Sequence, residues 1–168
     1  MKELLYLHIS EPQMQKIRVV IVEILRESGA KCGLLIDVGG YPLVRKGFTL
    51  IRDIEALCAL IAASRATTRE IARILGQDEI SVVYHQGAGD HIHSIDIADQ
   101  AILTILFDDR ADLDRIREVT RRRAVELEDL LAGARDKSEP PPRIENLKSF
   151  ADKALDELLQ DKEESAAG

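Results

Sequence analysis

His91 and His93 are separated by one residue, so in a strand both imidazoles project from one face, where a metal ion could bridge them. If Glu79–Gln86 folds back on them across Gly87-Ala88-Gly89-Asp90, Gln86 faces His91, Tyr84 faces His93 and His85 points to the other side beside Ile92. That leaves no third soft ligand, whereas zinc takes about three or four, so half-exposed strand histidines are expected and no metal. Ser81, Ser94, Cys32 and Cys58 lie at no spacing that places a base and an orienting acid nearby, and no catalytic residue is expected. No Gly-x-x-x-x-Gly-Lys-Ser/Thr run occurs, and Gly87-Ala88-Gly89 lies between strands instead of opening a helix, so the chain is not expected to cradle a nucleotide itself. Two sets of arginines remain. Arg65, Arg69 and Arg73 recur every fourth residue on one helix face, with Glu70 and Asp78 as nearby acids. Arg121-Arg122-Arg123 is surrounded by Glu118, Glu126 and Glu128 and reads as a solvated, ion-paired face.

Composition narrows the field. The 168 residues are 45% hydrophobic and 32% charged, ordinary globular usage. Acidic residues outnumber basic ones 30 to 23, for a net charge of -7, which argues against a nucleic-acid grip built on clustered Lys and Arg. Three Phe, three Tyr and no Trp leave little to stack on bases. Cys32 and Cys58 both lie in apolar runs and read as buried free thiols of a reducing compartment. No segment approaches the ~18–20 apolar residues of a membrane span, and Met1–His8 is too short and polar for a secretory signal, so a cytoplasmic protein is expected.

The elements that must position these residues follow from periodicity. Ser10-Glu11-Pro12-Gln13 reads as a helix start, and Met14, Ile17, Ile21, Ile24 and Leu25 repeat at helical spacing up to Gly29, predicting a first helix over Glu11–Ser28. Cys32–Asp37 and Tyr41–Arg45 form a hairpin around Val38-Gly39-Gly40, with Pro42 confining the second strand to a sheet edge. A long helix over Ile51–Leu75 carries Ile54, Leu57, Cys58 and Ile61 on one stripe, which Ile71, Ile74 and Leu75 resume before Gly76, and Ala62–Thr68 is a patch of small residues that suits either a partner helix or a crossing over its own sheet. Strands at Glu79–Gln86, His91–Ala98 and Ala101–Phe107 follow, turning at Gly87–Asp90 and Asp99-Gln100. Strands 1 and 5 are almost wholly apolar and belong in the centre, the mixed strands at the edges. The expected fold is α+β: a five-stranded antiparallel sheet of order 2-1-5-4-3 with helices on both faces. A third helix over Asp112–Ala134 presents Leu113, Ile116, Thr120, Ala124, Leu127 and Leu131.

The expected domain is 1–136. Lys137–Arg143, with three consecutive prolines, is a stiff linker. Beyond it Ile144, Leu147, Phe150, Ala151, Ala154, Leu155 and Leu158 repeat at three and four, and 144–168 holds seven acids against three lysines. This acidic amphipathic tail must bury its stripe against something.

In this order of elements the chain resembles the roadblock (dynein light chain) family. The likeness is carried by Gly33–Gly40 with Leu43-Val44-Arg45, by Ile71–Gly76, by His85-Gln86-Gly87, and by Ala101–Phe107 followed by Asp108-Asp109-Arg110, together covering about residues 11–134. The tail Phe150–Leu159 is similar to the C-terminal helix of the MglB-like bacterial subgroup, regulators of a Ras-like gliding-motility GTPase. The resemblance implies a roadblock/profilin-like sandwich and a homodimer joined through the second helix and third strand, merging two sheets at Ala62, Ala63, Ala66, Val82 and Tyr84. It further implies that an MglA-type small GTPase docks on the paired second helices, at Ser64, Arg65, Thr68, Arg69 and Arg73. Neither Arg65 nor Arg69 falls on the apolar stripe, so reversing both charges is expected to abolish GTPase binding and leave the dimer intact. The alternative is that these arginines are solvated and paired with Glu70 or Asp78. The tail residues Leu147, Phe150, Ala151, Leu155 and Leu158 would contact the GTPase or an adaptor. Ala63-Ser64 stands where many members of the subgroup have Gly-Asn, and Asp114-Arg115-Ile116-Arg117 where Gly-Leu-Val-Arg is common. What the resemblance implies is a regulator without a cofactor or active site of its own, stimulating GTP hydrolysis and serving polarity and motility at a cell pole. The alternative is a scaffold that dimerises and clusters partners without changing turnover.

Overall fold

Helix α1, Glu11–Ser28, starts where Ser10 leaves extended backbone. The Ser10 N–H donates to Gln13 Oε1 at 3.1 Å, and its hydroxyl turns to the same oxygen at 2.7 Å instead of capping a backbone N–H. Gly29 ends the helix at φ +72°, its N–H donating to the Leu25 carbonyl at 3.0 Å. The computed structural model describes residues 9–77 and 82–135; the proline linker and the tail with Leu147, Phe150, Ala151, Leu155 and Leu158 lie outside the described residues, as do Asp78 and Ser81.

Strands β1 (Cys32–Asp37) and β2 (Pro42–Gly47) form the first hairpin, with β2 starting one residue later than expected and ending two later. Among its turn residues only Gly40 has positive φ, +95°. A Cβ there would stand 2.9 Å from the Ala59 Cα, so the glycine also lets a helix lie against the turn. That helix, α2 (Ile54–Ile74), begins three residues after the apolar run does, because the Asp53 carboxylate accepts the Ala56 N–H at 2.9 Å and caps it. Strands β3 (Val82–Gln86), β4 (His91–Ile97) and β5 (Ala101–Phe107) complete the sheet. Its order is β2-β1-β5-β4-β3, all antiparallel, with β1 and β5 central and Pro42 on an edge as its missing N–H requires.

The β4–β5 connection turns at Ala98-Asp99, one residue earlier than the spacing predicts. Both residues have positive φ, 50° and 58°, and the Gln100 N–H closes the turn on the Ile97 carbonyl at 3.0 Å. This is the mirror-image turn that suits the twist of antiparallel strands, built here without glycine or asparagine.

Helix α3 (Leu113–Arg135) and α1 cover one face of the sheet, where Ile17, Ile21, Ile24, Ile116, Val119 and Leu127 pack on Leu35, Ile95, Leu103 and Ile105. α2 covers the other face with Ile54, Cys58 and Ile61 over Cys32, Leu34, Ile36, Ile102 and Leu106. The basic run of α3 is ion-paired, but chiefly across to α1: Arg123 meets Glu23 at 2.9 Å and Glu27 at 2.5 Å, and Arg122 also pairs with Glu27. The Arg123 hydrogen bond is the main reason the Glu27 carboxyl titrates below its ordinary range.

Candidate functional site

The inward residues of α2 change character along its length. Ile54, Cys58 and Ile61 are apolar and sit over the sheet centre. One turn later the helix passes above β4, whose upward residues here are Ser94 and Asp96, and the inward position is Arg65. Its Nε donates to both Asp96 oxygens at 2.7 and 2.8 Å, and its Nη2 reaches Asp99 in the β4–β5 turn at 3.3 Å. Arg69 stands beside it, 3.5 Å from Asp96 and also paired with Asp99. The Arg65 and Asp96 side chains are only 14% and 9% exposed. Arg65 thus faces its own sheet, and the three arginines do not form one open ladder: Arg73, near the helix end, pairs with Glu70 in solvent.

The outward face of α2 is where large apolar side chains meet water. Leu60, Ile74 and Leu75 are 68%, 72% and 63% exposed, and Ile71 is exposed beside them. Leu60 and Ile71 are eleven residues apart, about three full turns, and Ile74 and Leu75 flank that line, so the four fall on one side of the helix. Ala63 and Ala66 are exposed small residues between them, whereas Ala62 is half-buried and packs towards Gly40 of its own hairpin. Ser64 and Thr68 face β3, lining a small depression with Val83, His85 and Ser94. β3 is an edge strand, paired only with β4 among the described residues.

Register decides which β3 side chains share this surface. Val82 pairs with Ile95 and Tyr84 with His93, so both point to the α1–α3 face; Tyr84 stacks on Phe107 with ring centroids 6.2 Å apart. Val83 and His85 are the ones that face α2. What Val82 and Tyr84 offer to the α2 side is backbone at the open edge.

The Roadblock/LC7 domain model matches residues 16–107, more than half of the chain. The chain belongs to the Roadblock/LC7 family. Among solved structures this roadblock chain is similar to an MglB described as having a tetrameric arrangement, at 27% identity and a TM-score of 0.72, over 76% of this chain and 96% of that one. The gliding protein MglB of Thermus thermophilus gives 27% and 0.71, over 76% and 97%. Myxococcus xanthus MglB gives 25% and 0.67, over 70% and 96%. The fold is MglB-like. No curated protein matches the chain by sequence.

In this roadblock domain the strand histidines are buried, not half exposed, because α3 and the 108–112 loop cover them. His91 meets Asp109 at 2.8 Å and His93 meets Thr120 at 3.1 Å, separate contacts with separate partners. Burial, with Arg117 nearby, lowers the His93 pKa to about 4. Among the described residues no three His, Cys, Asp or Glu gather as a metal site would require. Cys32 and Cys58 are free and buried in the α2 layer, where burial pushes the Cys58 thiol up to about 11 and away from nucleophilic use.

Sequence reasoning missed Asp96 and Asp99 as partners of Arg65 and Arg69, since sequence spacing carries no distance between a helix and a strand thirty residues on. Ile71, Ile74 and Leu75, expected to resume the inward stripe, instead lie exposed with Leu60 on another side of α2. The signal was present: those residues fall outside the stripe of Ile54, Cys58 and Ile61, so α2 is apolar on two sides.

Proposed function

We propose that the chain is a homodimeric regulator that binds the GTP form of an MglA-like small GTPase and stimulates its hydrolysis. The observation that carries this reading is the exposed Leu60, Ile71, Ile74 and Leu75 row of α2 running beside the open edge of β3. An exposed apolar row next to unpaired strand hydrogen-bonding groups is a surface that a second copy would cover. Two β3 edges paired antiparallel would merge the sheets and set the α2 helices side by side, with Ala63 and Ala66 allowing close approach and Val82 and Tyr84 contributing backbone. That joint face is where the small GTPase would dock, as the roadblock resemblance implies.

Arg65 and Arg69 are already held by Asp96 and Asp99, which argues against either reaching into a nucleotide. Stimulation then acts by population shift: docking favours the switch conformation in which the GTPase's own groups and water are aligned. Arg65 positions α2, while Ser64, Thr68, Arg69 and Arg73 remain the docking contacts. The tail, 144–168, would make a second contact through Leu147, Phe150, Ala151, Leu155 and Leu158 after a linker at 137–143.

The test is light scattering of the full chain, then of its mixture with an MglA-type GTPase loaded with GTP analogue or GDP, and phosphate release with and without the chain. A two-subunit mass, a complex with the analogue form and faster release support the reading. Ile74→Asp with Leu75→Asp should halve the mass without unfolding the domain. A one-subunit mass that the GTPase does not alter would overturn it. A dimer that binds without changing release would leave the scaffold reading in its place.

A further inference from the structure

On the sheet face away from α2, a cleft of about 530 Å³ opens between α3 and the β3–β4 edge. Its volume falls in the range of small-molecule sites. Ile95, Ala124 and Val125 give it apolar walls, Arg117 and Arg121 bring two cations from successive turns of α3, and its acids are Glu128 together with Asp96 and Asp99, the latter two already paired with Arg65 and Arg69 of α2.

The cations are unlike their neighbours on the helix. Arg122 and Arg123 are taken up by Glu27 and Glu23 of α1, and Arg115 by Glu118. Arg117 has only an exposed contact with Asp114 at 3.5 Å, and Arg121 has no acidic partner among the described residues. Like charges four apart on a helix repel, so an anion bound to both relieves a standing cost.

His93, also lining the cleft, is 1% exposed. The Thr120 hydroxyl donates to the Ile116 carbonyl at 2.8 Å, so towards His93 it can only accept, and the 3.1 Å contact requires the proton on Nε2. With the ring kept neutral by burial, Nδ1 is a bare acceptor, and it has no hydrogen-bond partner among the described residues. A buried acceptor left unpaired in a native structure calls for a donor.

We propose that this cleft binds a small organic monoanion, its charge held by Arg117 and Arg121, its apolar body on Ile95, Ala124 and Val125, and a hydroxyl donating to His93 Nδ1. The cleft opens on the face opposite α2 yet shares Val82, Asp96 and Asp99 with the surface described above, and because its test reads its own ligand, failure here leaves the GTPase reading standing. The probe is 4-hydroxybenzoate, titrated into the full chain by calorimetry and by amide chemical shifts, with benzoate and 4-hydroxybenzyl alcohol for comparison. A ligand of this size should bind one per subunit with a Kd on the order of 1 mM. Benzoate, lacking the donor, should bind more weakly, and the uncharged alcohol more weakly still. Arg121→Gln should weaken 4-hydroxybenzoate by about tenfold or more while the melting midpoint holds, since two charge-assisted hydrogen bonds depend on that pair. Val125→Trp, at an exposed wall position, should block the cleft in a folded chain. Absence of saturable binding, equal affinity for the uncharged alcohol, or an Arg121→Gln chain that binds as well as the original would overturn the proposal.

Discussion

Replacing Arg65 by Met removes one charge from beneath α2 and keeps most of the stem that fills the space. The Asp96 carboxylate, 9% exposed, would then face the helix with only Arg69, 3.5 Å away, to balance it. Removing one partner of a buried pair costs roughly 3–5 kcal/mol, and with Arg69 compensating in part we expect about 2 kcal/mol. For a domain of this size that lowers the melting temperature by about 6–10 °C. The assay is urea and thermal unfolding of Arg65→Met, Asp96→Leu and the double variant, all at one protein concentration because self-association would shift apparent stability. With both charges gone no uncompensated ion is left, so the double variant should be more stable than Arg65→Met alone. A loss below about 0.5 kcal/mol in the single variant, or additive losses in the double, would show that the pair does not hold the helix and would return Arg65 to the docking contacts.

The remaining expectations are briefer. Ala98→Gly relieves a non-glycine residue at φ 50° and should stabilise the domain by about 0.5–1 kcal/mol in urea unfolding; a loss would mean the alanine methyl has a packing role that outweighs the strain. His93 titrates near 4 when folded but near its ordinary value when unfolded, so between those values the unfolded chain binds the extra proton. Stability should therefore fall as pH drops from about 6.5 to 4, by up to about 3 kcal/mol, and His93→Phe should flatten that part of the profile.

The sheet order was legible because burial on two faces leaves a compositional mark: β1 and β5 carry few polar residues, and β2 carries Pro42. Helix α1 was legible to the residue because Ser10, Pro12, Gln13 and Gly29 are punctuation with local mechanisms. The start of α2 was not, since Ile51 continues the apolar run while the decisive group, Asp53, acts through a hydrogen bond to Ala56. The β4–β5 turn was read one residue late, at Asp99-Gln100, because Asp99 is an ordinary turn residue while nothing about Ala98 announces positive φ. The histidines were misjudged because burial of a polar ring depends on α3, which arrives from twenty residues further along the chain. Among the site residues, the choice of Val82 and Tyr84 over Val83 and His85 was a matter of strand parity, which only the position of α2 decides.

The two-sided apolarity of α2 gives Arg65 its meaning. A helix with Ile54, Cys58 and Ile61 on one side and Leu60, Ile71, Ile74 and Leu75 on another could turn either row towards the sheet, since burial energy is non-directional. An ion pair adds little net stability once desolvation is counted, but its geometry tolerates one arrangement. Arg65 over Asp96, with Arg69 and Asp99 beside them, fixes the rotation of the C-terminal half of α2 and so decides which apolar row stays outside. The Arg65→Met, Asp96→Leu double variant separates these effects. It should keep its stability while the amides of residues 66–74 exchange faster, and self-association should weaken although no residue of the outer row has changed. Unchanged exchange and undiminished association in that variant would mean that packing alone sets the helix, and that the buried charges have no part in presenting the surface.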